Sequence, residues 1–433
     1  MVQLSADPTF GRSGCGRGGG GPLRRPERGL RSGRGYLVRL RCLQDHALRV
    51  RPVASSAASH LSDLDYRLLR RSILLGRRGW GRVHPNPMVG CVVARGREVL
   101  AEGYHALFGG PHAETTALAA VDNARGATLY SSLEPCNHVG KTPPCTEAIR
   151  GAGIERVVYW APEPGSAARG GAERLRRSGL RVDGPVGEWT DWAAENPFFF
   201  RDPGIHRPYL ALKLAVSLDG YIAPGGGRRV WLTGPEARAE VHRLRAGFDA
   251  VLVGSGTWRA DDPRLTARGE TVPRVPPVPV LLDTQGQATR GLRALRCEGG
   301  ARRPIVVTAV GQATRLQGLL GEQAEVVPVS QDGRGLDLEE ILGALAERGI
   351  DTILCEGGGI LGASLLDGDL VDRIYVFLAP RLIGAGGVPA FPVPSRVPDD
   401  ADGMGTRAMP EWQTRLDPVR FGNDTLMVLD RGA

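Results

Sequence analysis

Residues 111–114 read Pro-His-Ala-Glu, and residues 133–145 read Leu-Glu-Pro-Cys-Asn-His-Val-Gly-Lys-Thr-Pro-Pro-Cys. His112, Cys136 and Cys145 offer one imidazole and two thiolates, which are ligands that zinc prefers. Three protein ligands leave the fourth tetrahedral position for water, as in catalytic zinc sites, whereas closed structural sites use four. Glu114 is a further carboxylate beside His112. The two stretches therefore predict a catalytic zinc site in which Glu114 carries the proton.

The segments around these residues alternate between predicted strands and helices. Apolar runs predict strands at 88–94, 128–132 and 156–160, and helices are predicted at 111–121, 145–152 and 171–178. An N-cap at Ser62-Asp63 precedes the apolar spacing of a first helix. The alternation predicts an α/β layered domain with His112 and Glu114 at the start of one helix.

Pro85-Asn86-Pro87 forms a predicted rigid turn shortly before this site. An Asn between two prolines is held in an extended conformation, which suits it to present its amide to the edge of a heterocycle. The motif alone usually marks only a turn. Together with the zinc motif it makes Asn86 a candidate substrate contact.

Two other interpretations of the zinc motif stay open at this point. A structural zinc protein would need a fourth ligand, for which His138 is the nearby candidate. A nucleic-acid deaminase shares the His-x-Glu and Pro-Cys pattern, but its second cysteine usually follows as Cys-x-x-Cys, and here eight residues intervene. The net charge of +8 comes from residues 1–60, and the rest of the chain is formally neutral, so we expect no nucleic-acid partner.

Composition divides the chain into three parts. Residues 1–60 are rich in Arg and Gly, which predicts a disordered extension, with an organelle-targeting leader as the alternative. Residues 61–205 and 206–433 predict two α/β domains, and no stretch suits a membrane span. Seven scattered cysteines favour a reducing compartment, so we expect the cytoplasm, or a plastid if residues 1–60 are a transit peptide. The sequence leaves homo-oligomer formation open.

The C-terminal part carries a second set of candidate residues. Strands are predicted at 209–216, 250–253, 278–282, 305–310, 352–355 and 373–378. Two of them lead into glycine-rich segments, Gly254-Ser255-Gly256-Thr257 and Glu356-Gly357-Gly358-Gly359, whose backbones can approach a phosphate closely. Arg245 and Arg268 offer forked donors to a phosphate ester. Gly357, Gly359 and Gly362 have the Gly-x-Gly-x-x-Gly spacing, but a glycine run alone is a weak signal, and we do not expect a Rossmann domain.

In these motifs the chain resembles the bifunctional deaminase/reductase family of riboflavin biosynthesis. The long loop between Cys136 and Cys145 is the one seen in that family. The resemblance extends from about Leu61 to the C-terminus, and it is carried by residues 85–90, 103–105, 112–114, 133–145, 213–220, 231–234, 244–246, 249–250, 254–257, 261–268 and 356–358.

The resemblance implies a fold, two cofactors and a set of site residues. The fold is an N-terminal cytidine-deaminase-like three-layer α/β/α domain followed by a dihydrofolate-reductase-like α/β domain, with Zn²⁺ in the first and NADPH in the second. Carried over by position, the residues expected to contact NADPH are Ala215, Trp231, Thr257, Asp261, Gly358, Gly359 and Gly362. Those expected to hold the phosphorylated sugar are Arg245, Leu265, Arg268 and Glu356, and Lys213 is expected to assist opening of the sugar at C1′.

The activity implied has two steps on one small phosphorylated pyrimidine. Hydrolytic deamination of 2,5-diamino-6-ribosylamino-4(3H)-pyrimidinone 5′-phosphate comes first, and NADPH-dependent reduction then gives 5-amino-6-(5-phosphoribitylamino)uracil. Two positions depart from the family pattern: Arg229 stands where Ser is usual, and Ala161-Pro162-Glu163-Pro164 replaces Asp-Pro-Asn-Pro. Arg229 supports the alternative of a monofunctional zinc deaminase with a non-catalytic C-terminal binding domain.

Overall fold

The structure is a computed structural model that describes residues 61–138, 143–165, 168–187, 189–199, 205–226, 230–296, 302–333, 335–392, 411–414 and 416–431. The predicted extension at residues 1–60 and the departure at Arg229 lie outside the described residues. Among the described helices, none has the length and apolar character to cross a lipid bilayer.

The N-terminal part is built on a five-stranded mixed sheet in the order β2-β1-β3-β4-β5. Its strands are β1 Gly90–Arg95, β2 Glu98–Tyr104, β3 Thr128–Leu133, β4 Arg156–Ala161 and β5 Arg181–Asp183. β1 runs antiparallel to β2 and β3, whereas β3, β4 and β5 are mutually parallel. The residues that follow β3 and β4 therefore lie at the same edge of the sheet.

Helices cover both faces of this sheet. They are Asp63–Gly76, Ala113–Ala119, Cys145–Gly151, Gly171–Arg177 and Trp189–Glu195. A Cβ on Gly90 would lie 2.0 Å from the Ser72 carbonyl oxygen, so the first helix packs directly on that face. A Cβ on Gly103 would lie 2.4 Å from the Ala113 carbonyl oxygen, so the helix Ala113–Ala119 packs directly on Gly103. Gly103 pairs with Cys91, which faces the side of the sheet opposite to that of its neighbour Gly90, so the two helices lie on opposite faces. The predicted three-layer α/β/α arrangement is confirmed.

The first helix begins at the predicted cap. The Ser62 side chain accepts a hydrogen bond from the Asp65 backbone N–H, and the Asp65 side chain accepts one from the Ser62 backbone N–H. This reciprocal arrangement satisfies two backbone donors that the first turn leaves unpaired. The face that packs on the sheet carries Leu68, Leu69 and Ile73, all buried.

The C-terminal part is built on a ten-stranded sheet, in the order β11-β10-β9-β8-β14-β6-β15-β19-β17 with β18 paired to β19. Its strands are β6 Tyr209–Ser217, β8 Ala250–Val253, β9 Val278–Leu282, β10 Ile305–Ala309, β11 Glu325–Val329, β14 Thr352–Cys355, β15 Arg373–Ala379, β17 Trp412–Thr414, β18 Val419–Phe421 and β19 Asp424–Arg431. The strands from β11 to β15 are parallel, and β17, β18 and β19 are antiparallel.

Helices and short strand pairs complete this part. The helices are Pro235–Arg245, Ser255–Asp261, Val310–Leu320, Leu338–Ala346 and Gly359–Asp367, and the short pairs are β7 Tyr221–Ala223 with β16 Val388–Pro389 and β12 Gln331–Asp332 with β13 Gly335–Leu336. The helix Ser255–Asp261 follows β8 and the helix Gly359–Asp367 follows β14, and these two strands are neighbours. The two helix N-termini therefore lie side by side at the carboxyl edge of the sheet.

An aromatic cluster joins the two parts. The Trp80 ring packs on Phe198 and Phe248, with ring centroids 5.4 and 6.2 Å apart, and its Nε1 donates to the Arg243 carbonyl oxygen at 2.8 Å. A Cβ on Gly247 would lie 2.2 Å from the Trp80 ring, so only glycine allows this contact. The domain limits 61–205 and 206–433 stay a prediction.

Candidate active sites

Three side chains that can bind a metal come together in the N-terminal part of the chain. His112 Nδ1 lies 3.4 Å from Cys136 Sγ and 3.3 Å from Cys145 Sγ. His112 precedes the helix Ala113–Ala119, Cys136 follows β3, and Cys145 begins the helix Cys145–Gly151. Tetrahedral zinc with ordinary bond lengths separates a nitrogen ligand from a sulfur ligand by about 3.6 Å. The donor set and its spacing therefore fit zinc.

Within the described residues, this site offers three possible ligands for zinc. His112, Cys136 and Cys145 form this group with all ligand atoms within 4.8 Å of one another, and His138 is not part of it. A closed structural site would need a fourth protein ligand. The geometry favours a site with one open position over a structural one.

The two sulfur atoms differ in their acidity. The pKa of Cys136 is lowered to about 4, first because the Cys145 side chain hydrogen-bonds to its sulfur and also because His112 does. The same contact raises the pKa of Cys145, and burial adds to this. A cysteine binds a metal as its thiolate, so the zinc ion would be held by Cys136 and Cys145 with both sulfurs deprotonated.

Glu114 is buried next to these sulfur atoms. Its Oε2 accepts a hydrogen bond from Cys145 Sγ and its Oε1 accepts one from Ser131 Oγ, both at 3.4 Å. Only 3% of the residue is exposed, and burial raises the pKa of its carboxyl group, with the charge of Cys136 adding to the effect. A carboxylate with a raised pKa is a better proton acceptor than one in water.

Asn86 is held by a histidine that the sequence did not single out for a role. The Asn86 side-chain nitrogen lies 3.1 Å from His105 Nε2, and His105 Nδ1 lies 2.9 Å from the Pro111 carbonyl oxygen. The His105 ring also meets the His112 ring edge-on, with centroids 5.6 Å apart. Through His105, the predicted substrate-binding residue Asn86 is thus connected to the metal ligand candidate His112.

Glu163 is a second residue that sequence reasoning left without a role. It follows β4, its backbone N–H donates to Glu134 Oε2 at 3.2 Å, and its Oε1 accepts from the Gly165 N–H at 3.0 Å. Burial raises the pKa of its carboxyl group to about 7. The pKa of His112 is raised, first by its hydrogen bond with Cys136, and the charge of Glu163 makes a smaller contribution. In the sequence, the sign that pointed to Glu163 was the departure from the family pattern at residues 161–164.

The C-terminal site is centred on a buried ion pair. Arg245 Nε and Nη2 donate to the two Glu356 oxygens at 2.5 and 2.9 Å, and 11% of each side chain is exposed. Burial alone would raise the pKa of Glu356, but the charges of Arg245 and then of Lys213 outweigh it and lower this pKa to about 2. Burial lowers the pKa of Lys213, whose Nζ lies 5.8 Å from the centre of the Phe377 ring.

The stability of the chain in acid is expected to report on Glu356. Its folded pKa of about 2 lies below the ordinary 4.5, so its contribution is complete above pH 4.5 and is lost as the pH falls towards 2. A shift of that size corresponds to about 3 kcal/mol of unfolding free energy. Urea titrations at several pH values should show the gap between the native chain and the Glu356→Gln variant narrowing between pH 4.5 and 2. A constant gap would contradict this.

Other predicted sugar contacts surround the ion pair. The Thr266 carbonyl oxygen accepts from Arg245 Nη1 and lies 3.1 Å from His242 Nδ1, while His242 Nε2 lies 3.3 Å from Arg268 Nη2. His242, which sequence reasoning missed, thereby connects Arg245 to Arg268. Leu265 is buried and has a left-handed backbone with φ of 55°. The structure brings the predicted sugar-binding residues Arg245, Arg268 and Glu356 together.

The glycines at the carboxyl edge of the sheet differ in the space around them. A Cβ on Gly256 would have no heavy atom within 4 Å, so this glycine faces open space, whereas a Cβ on Gly358 would be in ordinary contact with Thr257 Oγ1 at 3.6 Å. A Cβ on Gly359 would lie 2.4 Å from the Pro389 carbonyl oxygen, and one on Gly362 would contact Leu212. Gly256 therefore leaves space beside the N-terminus of its helix, whereas Gly359 permits close packing.

The remaining predicted cofactor contacts lie near this edge or on strands leading to it. Ala215 lies two residues beyond Lys213 on β6, and therefore on the same face of the sheet. Asp261 ends the helix Ser255–Asp261, and its charge acts on Lys213. Trp231 is 66% exposed, with the Arg238 guanidinium 4.8 Å from its ring centre.

Comparison with protein families assigns each part separately. Residues 62–161 match the cytidine and deoxycytidylate deaminase zinc-binding region, and residues 208–397 match the RibD C-terminal domain. The first match includes His112, Glu114, Cys136 and Cys145. The second includes Lys213, Arg245, Arg268 and Glu356.

Comparison with whole proteins gives matches that span both parts. The riboflavin biosynthesis protein RibD of Actinobacillus pleuropneumoniae is 36% identical over 77% of this chain and 88% of its own length. The RibD protein of Aquifex aeolicus is 37% identical over 75% of this chain and 90% of its own length.

Solved structures agree with these matches. A diaminohydroxyphosphoribosylaminopyrimidine deaminase/5-amino-6-(5-phosphoribosylamino)uracil reductase from Thermotoga maritima is 34% identical, with a TM-score of 0.65 over 85% of this chain and 99% of its own. RibD of Acinetobacter baumannii is 30% identical, with a TM-score of 0.64 over 86% of this chain and 99% of its own. The chain belongs to the RibD family of riboflavin biosynthesis proteins, with a zinc-binding deaminase domain followed by an NADPH-dependent reductase domain.

Proposed function

We propose that this chain deaminates 2,5-diamino-6-ribosylamino-4(3H)-pyrimidinone 5′-phosphate and then reduces the ribosyl group of the product to ribityl. The observation that carries the proposal is that one chain brings together two chemically different groups of candidate site residues. One combines three zinc-type ligands with a separate buried carboxylate, and the other combines a buried Arg–Glu ion pair with a glycine that faces open space beside a helix N-terminus.

In the deaminase site, His112, Cys136 and Cys145 hold the zinc ion and Glu114 moves the proton. Zinc at this position supplies a water molecule whose pKa is lowered towards neutrality. Glu114 would hold a proton on its carboxylate and release it to the departing ammonia, because this carboxylate lies beside Cys145 and is shielded from solvent. Asn86, fixed by His105, presents its amide to the edge of the pyrimidine.

In the reductase site, residues at the carboxyl edge of the ten-stranded sheet divide the work. NADPH supplies the hydride when it is bound. The residues that contact this cofactor are Ala215, Trp231, Thr257, Asp261 and the 358–362 glycine segment, in which Gly358 lies next to Thr257. Arg245, Leu265, Arg268 and Glu356 hold the phosphorylated sugar. Lys213 assists opening of the sugar at C1′, since its lowered pKa eases release of a proton.

Both half-reactions of the full chain should be measured separately. The diamino substrate without NADPH is expected to release ammonia, and the deaminated product supplied directly is expected to oxidise NADPH, seen as a loss of its near-ultraviolet absorbance. Ammonia release without NADPH oxidation would favour the monofunctional alternative. Deamination of single-stranded oligonucleotides, with none of the free pyrimidine nucleotide, would favour a nucleic-acid deaminase.

The compartment and the assembly of the enzyme are further parts of the proposal. Cys91, Cys136, Cys145 and Cys355 are free and buried, in keeping with a reducing compartment such as the cytoplasm. The partner that the two sites require is the small phosphorylated pyrimidine. Sedimentation of the purified chain would determine whether it forms a homo-oligomer.

A further inference from the structure

A histidine and two aspartates meet where the N-terminal part contacts the C-terminal sheet. One ligand atom from each of His84, Asp249 and Asp351 lies within 4.8 Å of the other two. Asp249 directly precedes β8 and Asp351 directly precedes β14, and these strands are parallel neighbours. The cluster therefore lies at the amino edge of the sheet, opposite to the edge that carries the glycines of the reductase site.

Two of the three side chains, those of Asp249 and His84, are held in place by their neighbours. Asp249 Oδ2 accepts from the backbone N–H groups of Asp351 and Thr352 at 3.1 and 3.0 Å, and from Thr352 Oγ1 at 3.0 Å. The His84 ring packs edge-on against Phe198, with ring centroids 5.7 Å apart. A site that is ordered before an ion arrives loses less entropy on binding.

The charges around the cluster suit a cation. Two carboxylates face one imidazole, and burial lowers the pKa of His84, which favours the neutral form that binds metals. The charges of Asp249 and Asp351 oppose burial by raising the pKa of His84, whereas the charge of the Arg274 guanidinium lowers it further. Arg274 Nη2 also donates to the His84 carbonyl oxygen at 3.0 Å, so one positive charge offsets part of the negative charge.

We propose that His84, Asp249 and Asp351 form a second binding site, for a divalent first-row transition metal such as Zn²⁺ or Co²⁺, that bridges the two parts of the chain. One nitrogen and two carboxylate oxygens are ordinary ligands for such ions, with water completing the coordination. Bonds of about 2.0–2.2 Å keep two ligand atoms on one ion within about 4.4 Å of each other. The three side chains therefore need to move only slightly.

This site differs from the triad of His112, Cys136 and Cys145 in one measurable way. The triad contains two thiolates, whereas the bridging site has only nitrogen and oxygen ligands. Co²⁺ bound to thiolates shows strong sulfur-to-metal absorption in the near ultraviolet, and Co²⁺ bound to nitrogen and oxygen does not. The two sites can thus be followed independently in one sample.

The test is a Co²⁺ titration of the full chain after removal of its metal, with the bound metal counted by equilibrium dialysis. The native chain is expected to bind one more equivalent than the His84→Ala and Asp351→Asn variants, while the thiolate absorption stays the same in all three. His206→Ala, which removes an exposed histidine, is the matched control and should behave like the native chain. The affinity of the bridging site for Co²⁺ should fall roughly tenfold or more in the His84→Ala and Asp351→Asn variants.

Thermal unfolding provides a second measurement, because an ion that joins the two parts stabilises the folded chain. Added Zn²⁺, beyond the equivalent held by the thiolates, should raise Tm in the native chain and in His206→Ala but not in the two cluster variants. Equal metal content in the native chain and both variants would overturn the proposal. Since Asp351 is exposed, Asp351→Asn keeps the test valid if His84→Ala fails to fold.

Discussion

Replacing Glu114 with Gln is expected to abolish deamination while zinc stays bound. The amide keeps the shape of the side chain but cannot accept the proton that the carboxylate accepts, so the rate should fall by a factor on the order of 10²–10⁴. Because Gln fills the same buried volume as Glu114, the variant should still fold around the same three ligands. Ammonia release and zinc content, measured on the same preparation, provide the comparison.

Glu147→Gln is the matched control for this prediction. Glu147 lies two residues after Cys145 on the same helix, but its side chain is exposed and pairs with Arg174 and Arg150. The control should keep both zinc and activity. If Glu114→Gln also kept full activity, zinc would have only a structural role and the proposed proton transfer would be wrong.

Breaking the Arg245–Glu356 pair is expected to abolish the reductase reaction and to destabilise the chain. Glu356→Ala leaves the Arg245 charge buried without its partner, which typically costs about 3–5 kcal/mol. NADPH oxidation with the deaminated product measures the reaction, and urea unfolding measures the stability. Deamination should persist wherever the N-terminal part stays folded.

A double variant separates stability from function at this pair. Arg245→Met combined with Glu356→Leu replaces two buried charges by apolar groups, which often restores most of the stability. It should not restore reduction, because the proposed contacts to the sugar are gone. Glu322→Gln, which removes one partner of an exposed ion pair with Arg303, should cost no more than about 1 kcal/mol. Reduction by the double variant would show that the pair has a structural role alone.

The sequence predicted the secondary-structure elements that have a strong apolar pattern or a clear cap. The capped first helix, β3, β4, β6, β8, β9, β10, β14 and β15 were predicted within a few residues. β2 was missed, because it is an edge strand carrying Glu98 and Glu102 with only two of its seven residues buried. β5 has three residues, and short strands at sheet edges have little apolar pattern of their own.

The sequence by itself determined the chemistry of the zinc site and the family. Its ligands lie at the ends of predicted elements in short motifs, so residue type and spacing were enough to predict them. Only the tertiary structure showed that His105 holds Asn86, that His242 connects Arg245 to Arg268, and that His84 meets two aspartates. These contacts join residues far apart in the chain, and the order of strands in a sheet, which decides such contacts, is not encoded in any local pattern.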